Sequence, residues 1–167
     1  MRRSLSFCLA GGALLLAAPL PAATTSTFQV TAQVVAGCLV VGGVTRYGSL
    51  DFGTQSALAT STLSTSLGGT TVTFQCTPGV ALSMSLDGGQ NSASGTRNLK
   101  RSGGTQLLAY QLYRDAAYSQ SLGIGQSVAL TYTDAAAIKL PVYARTQLPG
   151  TLPAGTYTDA VQVTVTW

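Results

Sequence analysis

The residues of this chain able to do chemistry are few, and their types exclude most reactions. There is no histidine and no glutamate, and the five acidic residues are Asp51, Asp87, Asp115, Asp134 and Asp159. A Ser-His-Asp arrangement is therefore impossible, and a paired-carboxylate glycosidase would need the fold to gather aspartates from distant parts of the chain. Asp87, Gly88, Gly89 and Asn91 resemble part of a calcium loop only superficially, because too few oxygen ligands stand nearby. Gly123 and Gly125 lack the strand–turn–helix setting of a phosphate loop. The seven tyrosines, Tyr47, Tyr110, Tyr113, Tyr118, Tyr132, Tyr143 and Tyr157, could form a sugar-stacking surface. In strands, however, tyrosine more commonly buries its ring and hydrogen-bonds its hydroxyl. No catalytic, metal-binding or cofactor-binding residue is assigned, and the chain is read as a non-enzyme.

The cysteines are better explained by structure than by reactivity. Residues 1–22 read as a secretory signal: Arg2 and Arg3 form a charged start, 5–18 is apolar and rich in Gly and Ala, and Leu20-Pro21-Ala22 offers a cleavage site. The apolar run is too short for a membrane span, and no later segment is apolar enough to be one. Cys8 leaves with the signal, so Cys38 and Cys76 remain as an even pair in an oxidising compartment, where a disulfide is expected. A metal site is the weaker reading, because no histidine can complete its shell. Loss of Arg2 and Arg3 also lowers the formal charge from +4 to about +2, which weakens any case for an anionic partner. Arg97, Lys100 and Arg101 form the one basic cluster, read as a solvated hairpin flank rather than a nucleic-acid site.

The elements that must position these residues are strands. No stretch sustains a 3.6-residue period with caps, while Thr, Val, Ser, Tyr and dispersed Gly suit short strands and turns. Strand patterns run over 70–76, 81–86, 107–114, 128–133 and 138–144, the last demoted to an edge or bulge by Pro141. Asp87, Gly88 and Gly89 supply a tight turn. Residues 56–66, rich in Ser, Thr and Ala, read as a mobile connection. From 157 to 167, Tyr157, Asp159, Val161, Val163, Val165 and Trp167 alternate with polar or small residues as one long strand. Before Cys38 stands an isolated strand pattern, Phe28, Val30, Ala32 and Val34, alternating with Gln29, Thr31 and Gln33. One-sided and without a neighbour, it needs a sheet to receive it. The ensemble reads as one all-β antiparallel sandwich, immunoglobulin-like.

An ordered set of motifs now narrows the reading. They are GC at 37–38, YGSLDFG at 47–53, VTFQC at 72–76, SMSLDGG at 83–89, RNLK at 97–100, AYQLYRD at 109–115, LPVY at 140–143 and AGTYTDAVQVTVTW at 154–167. Together they resemble the spore coat protein U domain and the archaic (Csu-type) chaperone–usher pilins, across essentially the whole mature chain. The resemblance implies an incomplete immunoglobulin-like sandwich, completed by a donor strand from another subunit. It divides the chain into a signal (1–22), a donor-strand extension (23–37) and a pilin domain (38–167). The donor positions fall on Phe28, Val30, Ala32 and Val34. The C-terminal strand, with Val161, Val163, Val165 and Trp167, would border the groove and face a chaperone.

The implied partners are a periplasmic chaperone, an outer-membrane usher and like or related pilin subunits in a head-to-tail fibre. The implied location is a surface pilus reached through the periplasm, with a part in adhesion and biofilm formation. Two other readings compete: a secreted spore or cell-envelope coat protein, and a carbohydrate-binding sandwich complete in one chain.

Overall fold

The computed structural model describes residues 29–43, 46–67 and 73–167. The signal span and Phe28 lie outside them, as does the first half of the pattern at 70–76. The chain divides into two units, Met1–Val34 and Val35–Trp167. In the first, the described residues 29–34 carry no strand and are exposed, Val30 by 81% and Val34 by 93%.

The second unit is all-β, with ten strands among the described residues. They are β1 (Cys38–Val40), β2 (Thr62–Ser66), β3 (Phe74–Cys76), β4 (Leu82–Leu86), β5 (Arg97–Arg101), β6 (Leu107–Tyr113), β7 (Val128–Leu130), β8 (Tyr143–Gln147), β9 (Tyr157–Thr158) and β10 (Val163–Thr166). A short 3₁₀ turn, Val41–Gly43, follows β1. Every ladder is antiparallel. The strands form a two-stranded sheet β1-β3, a three-stranded sheet β10-β4-β7 and a five-stranded sheet β2-β8-β6-β5-β9.

Period-two patterning explains which faces meet. Leu82, Met84 and Leu86 of β4 are buried while Ser83 and Ser85 are only partly covered; Leu108, Tyr110 and Leu112 of β6 point inward while Leu107, Ala109 and Gln111 face out. Leu82, Met84, Leu86, Tyr110 and Leu112 meet with Phe74, Val142 and Ala144 in one apolar core. Burying each such large side chain contributes about 1.5–3 kcal/mol, which is why the alternation fixes register. Cys38 and Cys76 lie directly opposite in the β1–β3 ladder and are joined by a disulfide, Cα to Cα 4.0 Å.

Four sequence expectations change. The long strand at 157–167 is two strands in different sheets: β9 pairs with β5, and β10 pairs with β4 after a four-residue crossing. Alternation persists through the crossing, so periodicity alone does not reveal the switch. The supposed mobile connection at 56–66 contains β2, paired with β8 along all five residues. An edge strand tolerates Ser and Thr because only Leu63 and Thr65 turn toward the subunit. The run at 138–144 yields only a bridge from Ile138 to Phe74, and β8 starts at Tyr143, past Pro141. Finally, Arg97 is no solvated flank: it begins β5 and is 4% exposed.

Candidate functional site

A long cleft opens along one side of the second unit, and its walls come from two stretches of chain. One wall is 46–57, the other 152–163. One compartment, of about 640 Å³, is lined by Tyr47, Leu50 and Phe52 on the first wall and by Asp159, Val161 and Val163 on the second, with Leu86, Tyr110, Leu112, Val142 and Ala144 between them. A second compartment, of about 600 Å³, is lined by residues 50–57 and 152–157, over Leu63, Leu108, Thr146 and Leu148. Leu50, Phe52 and Leu99 line both, so the two are parts of one groove. Its floor is the inner face of the five-stranded sheet with Leu86.

The groove is bordered by backbone with no ladder partner on that side. β9 and β10 are each the last strand of their sheets, and 46–57 carries no strand. Within 46–57, Gly53 N–H donates to Asp51 Oδ1 (2.8 Å), and the Ser56 carbonyl accepts from Ala59 N–H (3.0 Å). Apolar side chains do the rest. Leu50 and Phe52, two residues apart, are half-buried against the core, and Tyr47 stacks on Phe74 with ring centres 5.6 Å apart. Burial raises the pKa of Tyr47 above its ordinary value.

The opposite wall is held by polar side chains. Asp159 accepts from Asn91 N–H (3.1 Å) and Asn91 Nδ2 (3.0 Å) through Oδ1, and from the Tyr110 hydroxyl (2.6 Å) through Oδ2. Asp87 Oδ1 accepts from Gly89 N–H and Gln162 N–H, both 2.9 Å. Below them Arg97 donates to the carbonyls of Asp87 (2.8 Å), Leu122 (2.7 Å), Leu86 (3.1 Å) and Gly123 (3.3 Å). Burial pulls the Arg97 pKa down, while Tyr110, Asp87 and Asp159 act in the opposite sense. Burial, then the bond to Asp159, raises that of Tyr110 far above the phenol range, so its hydroxyl stays a donor.

This arrangement offers shape and backbone edges. A groove of apolar floor and unpaired edges accepts an extended segment: its alternate side chains fill the floor while its backbone extends the ladders. The family model for the Spore Coat Protein U domain matches residues 24–164. The chain belongs to that family. No curated protein sequence matches this Spore Coat Protein U domain chain. Among solved structures, it is similar to the CsuC–CsuE chaperone–tip adhesion subunit pre-assembly complex from archaic chaperone–usher Csu pili of Acinetobacter baumannii. That likeness has 22% identity and a TM-score of 0.47, over 80% of this chain and 40% of the other. It is also similar to a chaperone–tip adhesin complex of CFA/I fimbriae biogenesis, at 17% identity and a TM-score of 0.45, over 78% and 41%. The chain thus spans about two fifths of the length of either structure's matched chain.

The residues singled out from sequence distribute unevenly over this Spore Coat Protein U domain. Val161 and Val163 line the groove. Val165 packs against the core through β10, opposite Met84, outside the groove lining. Trp167 lies beyond β10, 58% exposed, with its indole Nε1 near Gly37. Val30, Ala32 and Val34 stand exposed in the first unit. Sequence reasoning missed Leu50 and Phe52 as a wall, although their alternation within YGSLDFG carried that signal. Asp51, Asp115 and Asp159 accept hydrogen bonds from backbone and neutral side chains. Of the tyrosines, Tyr110 is buried, the Tyr132 hydroxyl donates to Val80 carbonyl, that of Tyr157 donates to Pro153 carbonyl, and Tyr118 lies edge-on to Tyr113 and Tyr143.

Proposed function

We propose that this protein is a structural subunit of a secreted chaperone–usher surface pilus that polymerises by donor-strand complementation and supports adhesion and biofilm formation. The observation that carries the proposal is the groove: an apolar floor, a wall built from the edge strands β9 and β10, and membership of the Spore Coat Protein U domain family. The donor is the segment bearing Phe28, Val30, Ala32 and Val34 of another copy or a related subunit. Six residue steps separate Phe28 from Val34, and the same number separate Tyr157 from Val163 on the wall, about 20 Å in extended chain. Each large apolar side chain seated in the floor contributes about 1.5–3 kcal/mol before ordering costs. Donor-strand complementation is an established instance of β-strand addition. Because donor and groove are different surfaces of one subunit, the contact is head-to-tail and builds a filament.

On this reading the partners are a periplasmic chaperone that fills the groove first, an outer-membrane usher and neighbouring subunits. The protein is exported through the periplasm to the cell surface and is no enzyme. Deleting residues 23–35 tests the assignment. The shortened subunit should still be recovered with its chaperone yet fail to add to a neighbour, and Val30→Asp should do the same by placing an unpaired carboxylate in the groove. Normal polymerisation of either variant removes the donor from this role. The family's name keeps a coat role in view as the second reading. A chaperone gene and an usher gene beside this one support the pilus, and a locus without them supports the coat.

A further inference from the structure

The groove needs a wall that stands while no donor is present, and the crossing from β9 to β10 is where that wall is least supported by ladder bonds. Residues 159–162 leave the five-stranded sheet at Thr158 and reach the three-stranded sheet at Val163. An uncovered apolar floor draws neighbouring chain inward, because closing the cleft removes apolar surface from water. We infer that Asp159 is the positioning residue that keeps the empty groove open, acting through Tyr110 on the floor and Asn91 on the adjoining turn. The inference rests on the groove reading above and deepens it.

Three elements meet at this one carboxylate. Oδ2 takes the Tyr110 hydroxyl, tying the wall to β6; Oδ1 takes both the backbone and side-chain N–H of Asn91, tying it to the 87–91 turn. The same turn reaches the crossing again through Asp87 N–H to Gln162 carbonyl (3.0 Å) and Gln90 N–H to Ala160 carbonyl (3.1 Å). Gly89 is shaped to admit the carboxylate. Its φ is +76°, and a Cβ there would stand 2.0 Å from Asp159 Oδ2. A side chain at 89 would therefore displace the Asp159 carboxylate. Hydrogen bonds to an ionised acceptor are short and strong, and they are directional in a way that apolar packing is not. They fix the wall's distance from the floor without filling the space the donor must enter.

The experiment uses the full-length subunit released from its chaperone, so that the groove is empty, and challenged with a synthetic peptide of residues 24–36. Two readouts are taken: the rate of peptide uptake, and the melting temperature of the peptide-complemented subunit. Asp159→Asn and Tyr110→Phe should each slow uptake about tenfold or more, the scale of one charge-assisted hydrogen bond. The double variant should be no more than about twofold slower than the worse single one, because both changes break the same link. Once complemented, all variants should melt within about 3 °C of wild type, since the donor then holds the wall itself. Tyr110→Phe removes one oxygen and keeps the ring in the core, so it decides the matter if Asp159→Asn yields no complex. Unchanged uptake, losses that multiply in the double variant, or a fall in melting temperature matching the fall in rate would each overturn the inference. A wild-type subunit that ignores the peptide overturns the groove reading itself.

Discussion

Residues 152–163 and 46–57 face each other across one cleft, and they are held by opposite means. The first wall is tied by directional bonds along its length: Arg101 Nε to Ala154 carbonyl (3.0 Å), Ser102 N–H to Thr156 carbonyl (2.8 Å), then the bonds of Asp159, Ala160 and Gln162. Among the described residues, the second makes only local hydrogen bonds, and it leans on the core through Tyr47, Leu50 and Phe52. A directional bond fails when its partner moves by an ångström, whereas an apolar contact slides and re-forms. The comparison assigns separate tasks. On the proposed donor-strand reading, one wall would set the register of an incoming strand, and the other would adjust to close over it.

The largest effect should come from the tether of the sliding wall. That wall follows β1, which the Cys38–Cys76 disulfide joins to β3 across a separation of 38 residues. Replacing both cysteines by serine, so that no free thiol is left, should lower stability to urea by about 3–4 kcal/mol on the chain-entropy model. A loss below about 1 kcal/mol would mean that the wall is held by something other than its tether.

Next in size is the foundation of the fixed wall. Arg97 gathers four carbonyls beneath the 87–91 turn, and Arg97→Met keeps the length while removing every donor. The expected loss is about 2–3 kcal/mol, as for buried acceptors stripped of a charged partner. Arg97→Lys should recover little, since one ammonium cannot span four diverging carbonyls. Full rescue by lysine would show that charge rather than the fork supports the turn.

Much of this was legible in the residues, and the misreadings share a cause. Alternation placed β4, β6 and the inward residues Leu82, Met84, Leu86, Leu108, Tyr110 and Leu112, because burial on one face leaves a period of two whatever the partner. It could not show that Thr158 and Val163 belong to different sheets, since the pattern of side chains does not record which backbone lies alongside. β2 was missed because a Ser/Thr edge strand carries little apolar signal, and β5 because Arg97 was judged by charge. Its place in the fold depends on carbonyls of Leu86, Asp87, Leu122 and Gly123 that only the tertiary structure gathers. Asp159 was visible only as one polar member of an apolar series. That exception marked the crossing.

The smallest expected effect is a change in the uncomplemented subunit, and its growth on complementation separates the walls most sharply. Phe52 lines both compartments and is half-buried against the core while the groove is empty. In the uncomplemented subunit, Phe52→Ala should cost only about 1 kcal/mol, because the ring is only partly buried and the wall can settle inward. In the complemented subunit the ring is covered by the donor and settling is blocked, so the same change should cost about 2–4 kcal/mol. Urea denaturation of the chaperone-released and peptide-complemented forms gives both values. A cost that rises on complementation identifies 46–57 as the wall that closes. An equal cost in both states would mean that Phe52 is ordinary core and that the two walls are alike.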